Sequence, residues 1–228
     1  MNSGRLAFSG PMLAYALAPG VGACLADGRL VFLDLRGDRY LMVEPRLEQL
    51  LTSRRPCEPA EDEARKLERL CRLGLLVRAA ERRPLPLCAA PEPACSLLEQ
   101  CWSRPTIAAS IAAAGSLLWA TSTLRRHGLA EAVEALRPTG SSVAGDTART
   151  LRCASAFAEL RLLVRSLNRC LPLSLALVRQ ARPADPEVRL VLGVKLNPFG
   201  AHAWAQRGEL VLNDRLDAVR AFTPVLVV

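Results

Sequence analysis

Pro172 constrains this chain more than any other residue. It stands in "SLNRCLPLSLALVRQ", an apolar run that reads as a helix. A proline in a helix interior removes a hydrogen bond and clashes one turn back, which costs about 3 kcal/mol. Pro172 therefore belongs in the first turn, with Ser166 or Asn168 as the expected N-cap. Cys170 then falls at the helix N-terminus. Free backbone N–H groups and the positive end of the helix dipole favour a thiolate there. The same N–H groups can hold an oxyanion.

The residues that follow supply a base for such a thiol. In "PEVRLVLGVKL", Val188, Leu190, Leu192, Val194 and Leu196 alternate, which predicts a strand. Next, "AHAWAQ" and "ELVLND" read as a hairpin. A loop of Arg207, Gly208 and Glu209 would set His202 opposite Asp214. A loop of only Arg207 and Gly208 would set it opposite Asn213, and Asp217 is a third candidate orienter. Opposed side chains of an antiparallel pair share a face. A cysteine at a helix start, a histidine on a strand and an acid near it make a nucleophilic site. His202 takes the thiol proton, Cys170 attacks a carbonyl, and the acid orients the imidazole. With water as acceptor the site is a peptidase; with an amine it is a transglutaminase. Trp204 shares the His202 face and reads as core, and His127, at a predicted helix end, has no assigned role.

The remainder divides by composition. The turn pairs Asp27-Gly28 and Gly37-Asp38 predict a three-strand meander near 20–26, 29–34 and 39–43. Helices follow from Pro45 and in "PAEDEARKLERLCRLG", and Leu75–Val77 reads as a last strand. Residues 1–80 thus form a winged-helix-like unit whose open strand edge can take an extended peptide. Residues 81–96 hold four prolines and read as a linker. Residues 97–167 read as helices with breaks near Pro105 and Gly128, offering packing but no chemistry. The catalytic core occupies 168–228, and the class is α+β.

Thirty basic residues against twenty-two acidic ones give +8, yet no compact basic patch appears. Ten aromatics without basic interleaving argue against nucleic acid. The eight cysteines contain no C-x-x-C pair, and with two histidines they predict reduced thiols rather than a zinc site. No phosphate-binding glycine loop is present, so no cofactor is expected in this chain. The uncharged stretch Pro105–Leu124 is long enough to span a bilayer, but Ala, Ser, Thr and Gly dominate it. It reads as a buried or partner-facing helix, and a membrane role is not expected. Pro11 and Pro19 interrupt the apolar stretch Leu6–Cys24, so the expected location is cytoplasmic.

The motifs "RCLPLSLAL", "LVLGVKLNPFGAHAWAQRGELVLND" and "FTPVLVV" resemble the transglutaminase-like cysteine peptidases of lasso-peptide biosynthesis, the leader-removing B proteins. The resemblance covers roughly 150–228. It implies a papain/transglutaminase-like domain over 97–228, with 97–167 as a helical insertion and a triad of Cys170, His202 and Asp214. Residues 20–78 are similar to the leader-recognition domain of such pathways, a three-strand, three-helix unit. The implied partners are a precursor peptide, bound by its leader, and an asparagine-synthetase-like cyclase that alone uses ATP. The alternatives are a non-catalytic scaffold that presents a peptide to the cyclase, or an amine-accepting transglutaminase.

Overall fold

Turn chemistry shapes the first sheet. The structure, a computed structural model, describes residues 14–53, 58–81, 83–100, 104–137, 145–163 and 169–228. A short strand, β1 (Tyr15–Leu17), precedes a meander of β2 (Val21–Ala26), β3 (Arg29–Asp34) and β4 (Arg39–Met42), close to the predicted spans. Pro45 opens helix α1 (Pro45–Thr52), where a missing N–H costs nothing. Helix α2 (Glu61–Arg72) starts acidic and ends basic, as the helix dipole favours. Strand β5 (Leu76–Arg78) then pairs with β1, a ladder that no residue pattern marks. Residues 14–81 show two α-helices among the described residues, so the expected third is not found there.

Among its described residues the proline-rich segment has no regular element until β6 (Cys95–Ser96). It is nonetheless anchored: Leu85 is buried, and the N–H groups of Leu85, Cys88 and Ala94 donate to the carbonyls of Leu51, Ala23 and Glu209. Helix α3 (Ile107–Glu134) is broken at Gly128, whose φ of 81° an L side chain rarely adopts. It buries Ala113, Leu117 and Ala120 while exposing Ile107, Ile111 and Leu118. Among the described residues it is the one helix long and apolar enough to cross a membrane. After it come α4 (Thr147–Leu163) and α5 (Cys170–Ala181).

The second sheet has the order β10-β7-β8-β9-β6. Its members are β7 (Val188–Leu196), β8 (Phe199–Arg207), β9 (Leu210–Val211) and, after helix α6 (Leu216–Arg220), β10 (Thr223–Val227). The whole is a mixed α/β protein with six α-helices among the described residues. The predicted alternation holds in β7: Val188, Leu190, Leu192 and Val194 face α5, whose Leu175, Leu177 and Val178 are fully buried. Each such leucine contributes roughly 1.5–3 kcal/mol by leaving water.

The two sheets share this core. Strand β3 sends Leu30 and Phe32 toward Leu47, Leu50 and Leu67, which α1 and α2 supply. Its alternate residues, Val31 and Leu33, join Cys24, Val225 and the α5 side chains. A strand covered on both faces reads as an unbroken apolar run, and Leu30–Leu33 is one.

Candidate active site

Helix α5 begins at Cys170, with Pro172 in its first turn. Its N-cap is Arg169, which makes no side-chain cap bond. The expected caps Ser166 and Asn168 lie outside the described residues. Among the described residues no side-chain bond caps the helix end. The thiol is half-buried, which alone would raise its pKa. A hydrogen bond from His202, the imidazolium charge, and the N–H groups of Ala203 and Leu171 outweigh burial and hold it below its usual value.

His202 lies on β8 opposite Gly193. The indole of Trp204 lies over Gly193, where an added Cβ would come within 2.7 Å of the ring. The imidazole sits between this indole, at 6.1 Å between centroids, and Phe222, at 5.0 Å. Trp204 is 1% exposed, so it is core and also a wall of the site. Burial pulls the His202 pKa down, but bonds to Asp214 and Cys170 and their negative charges raise it to about 9. Nε2 contacts Asp214 Oδ2 at 2.6 Å, which leaves Nδ1 toward the sulfur.

Asp214 does not reach His202 through the expected register. The turn is Gly208–Glu209, the pairs are Arg207–Leu210 and Gln206–Val211, and the ladder then stops. Gly208, at φ 53°, allows this tight turn. Asn213 ends the strand: its Oδ1 accepts the Ala205 N–H at 2.8 Å, a bond that a neighbouring strand would otherwise make. The chain then bends, and Asp214 meets the ring from outside the ladder. Asn213 therefore does not face His202, and exposed Asp217 pairs with Arg215 instead. His127 is exposed and takes no part.

Three further elements hold the group. Ser174 Oγ lies 2.7 Å from Cys170 O and 3.0 Å from Ala203 O, and accepts from Asn213 Nδ2 at 2.9 Å. This one buried hydroxyl ties the helix of the cysteine, the strand of the histidine and the bend of the aspartate. Ser96 Oγ donates to the carbonyl of Asp214 at 2.5 Å. Arg161, on α4, pairs with Asp214 Oδ1 at 3.0 Å, beside the Arg215 N–H at 2.8 Å. Burial raises the Asp214 pKa, but the His202 bond, the Arg215 N–H and the Arg161 charge hold it below the usual carboxylate range. The helical region expected to carry no chemistry thus contributes Arg161. Nothing local marks that residue among the many arginines of the sequence.

The arrangement can deprotonate a thiol and return a proton to a leaving group. Among the described residues no group of three His, Cys, Asp or Glu is placed to hold a metal. Three other thiols, two buried and one partly buried, provide an internal comparison. Burial pushes Cys24 and Cys153 up to about 12 and Cys88 to about 11. At neutral pH iodoacetamide is expected to label Cys170 at least about 100-fold faster than these three, because only the thiolate reacts. Peptide mass mapping over time checks this, and equal labelling would contradict the reading of Cys170.

A family model described as the transglutaminase-like superfamily matches residues 111–227. The match covers just over half of the chain and contains Cys170, His202 and Asp214. No curated protein and no solved structure matches the chain.

Proposed function

The chain belongs to the transglutaminase-like superfamily, and from that premise we propose that it is a cysteine peptidase that removes the leader from a ribosomally made lasso-peptide precursor. The observation that carries this reading is the approach of His202 to Asp214 at 2.6 Å beside a half-buried Cys170 at a helix start. In the proposed reaction the Cys170 thiolate attacks the scissile carbonyl, and helix N–H groups receive the oxyanion. Imidazolium His202 gives its proton to the leaving amine as the C–N bond breaks, leaving a thioester. Water, losing a proton to His202, then hydrolyses the thioester and frees the thiol. Asp214 keeps Nε2 engaged, so Nδ1 handles the proton throughout.

The N-terminal unit would hold the leader, and an asparagine-synthetase-like cyclase, using ATP, would receive the bared core peptide. The setting would be the cytoplasm, where thiols stay reduced. The six described cysteines are free, which supports that setting.

Incubation of the protein with a precursor peptide and the cyclase tests the proposal. Release of the leader at its hydrolysed mass supports the peptidase. Incorporation of dansylcadaverine at the cut site would instead make it a transglutaminase. Ring closure with the leader intact would make it a scaffold. The pH profile adds a second check. Cleavage needs Cys170 charged and His202 protonated. Its rate should fall above about pH 9, where His202 loses its proton, and again in acid, below the lowered pKa of Cys170.

A further inference from the structure

Strand β8 has an edge beside Cys170 that its own sheet leaves open. Backbone groups of alternate residues in a strand point to opposite neighbours. On the β9 side, Ala205 O accepts from Leu212 N–H, and Ala205 N–H donates to Asn213. Ala203 continues the row: its carbonyl accepts from Ser174, and its N–H reaches the Cys170 sulfur. The next groups in that row are the N–H and C=O of Ala201, then those of Phe199. β9 ends at Val211, and among the described residues no strand pairs with β8 there. Ala201 is exposed and Phe199 is 58% exposed, so a second chain has access. The row leads from the sulfur toward the N-terminal sheet, where Tyr40 of β4 stands edge-on to Phe199 at 5.7 Å.

We propose that the Phe199–Ala201 edge receives the acyl side of the substrate as an added strand. An extended peptide would bond to the Ala201 N–H and C=O. One strand repeat further, about 6.8 Å, its carbonyl would arrive at Cys170 beside Ala203. The acyl side is assigned because this edge runs between Cys170 and the unit proposed to hold the leader. Recognition here is of backbone, so it tolerates varied side chains at the bonded residue. The inference rests on the peptidase reading of Cys170 and adds to it the way the peptide is held.

The test uses the intact protein and acetyl-tetraalanyl chloromethyl ketone, whose chloride the Cys170 thiolate displaces to form a thioether. N-methylation of the reagent at successive residues removes one N–H at a time. Only alternate N–H groups of an added strand point at β8. Methylation at one position is therefore expected to slow inactivation about tenfold, the worth of a lost hydrogen bond. Methylation at its neighbours should change the rate less than about threefold, because their N–H groups point away from β8. In Ala201→Pro, which lacks the N–H that would bond the peptide carbonyl, inactivation by the unmethylated reagent should slow about tenfold. A flat or uniform response in the wild-type protein overturns the added strand. Should Ala201→Pro fail to fold, the wild-type scan decides alone. Iodoacetamide separates the two readings. A Cys170 that iodoacetamide labels no faster than Cys153 sinks the nucleophile itself. A fast Cys170 with a flat scan sinks only the edge.

Discussion

Replacing Cys170 with Ser is expected to lower peptide cleavage by at least about 10⁴-fold while leaving the melting temperature nearly unchanged. Serine keeps the shape and the helix start, so the fold has no reason to yield. The chemistry does. With its pKa near 9, His202 is protonated at neutral pH. The lowered pKa of Cys170 and the raised pKa of His202 both favour a thiolate–imidazolium pair over a neutral base waiting for a proton. Such a pair exists only because a thiol can ionise in this range. A hydroxyl cannot, and the imidazolium held by Asp214 has no free lone pair with which to activate it. Leader release measured by mass, alongside thermal melting by circular dichroism, gives both readouts. A serine variant cutting within tenfold of wild type would exclude the ion-pair mechanism. A large drop in melting temperature would mean the thiol was structural.

The site was legible where one local rule decided the answer. Pro172 forbids an early helix start, and α5 indeed begins at Cys170. Alternation from Val188 to Leu196 matches the strand and its buried face. The hairpin register was not legible, because "ELVLND" carries strand-like residues to its end while only Leu210 and Val211 pair as β9. What stops the ladder is a side chain, Asn213, taking the place of a backbone partner. Period-two reasoning has no means to see that substitution. The same applies to β1 and β5, three residues each, whose pairing rests on tertiary contact rather than pattern. Arg161 and Ser174 share this status. Ser174 lies one turn after Cys170, so the helix repeat places both on one side, yet its partners come from distant strands. Arg161 was hidden by composition: in an arginine-rich chain one arginine on a helix is no signal.

Gly22→Val is expected to destabilise the protein by about 2–3 kcal/mol through overpacking, a fall of roughly 4–12 °C in melting temperature for a chain of this size. The reason lies in how the two sheets meet. Gly22, on β2, pairs with Leu33 and faces β10. A Cβ there would drive into the Val225 carbonyl oxygen and stand 3.1 Å from the Leu226 Cβ. Backbone, not a flexible side-chain tip, blocks the space, so relief requires the sheets to part. Parting them would expose Val31, Leu33 and Val225, each at most 1% exposed, to water. The contact also bears on the candidate site, since the face of β3 that meets β10 is the side on which Tyr40 of β4 reaches Phe199, on the strand that carries His202. The variant should therefore lose cleavage of a full precursor more than it loses iodoacetamide labelling of Cys170, because labelling needs only α5, β8 and the bend at Asp214. Melting should remain one transition, shifted down, since the core is common to both sheets. An unchanged melting temperature would mean that β2 and β10 do not pack backbone to backbone. Two separate transitions would mean that the sheets fold independently and that the N-terminal unit is joined by tether rather than by contact.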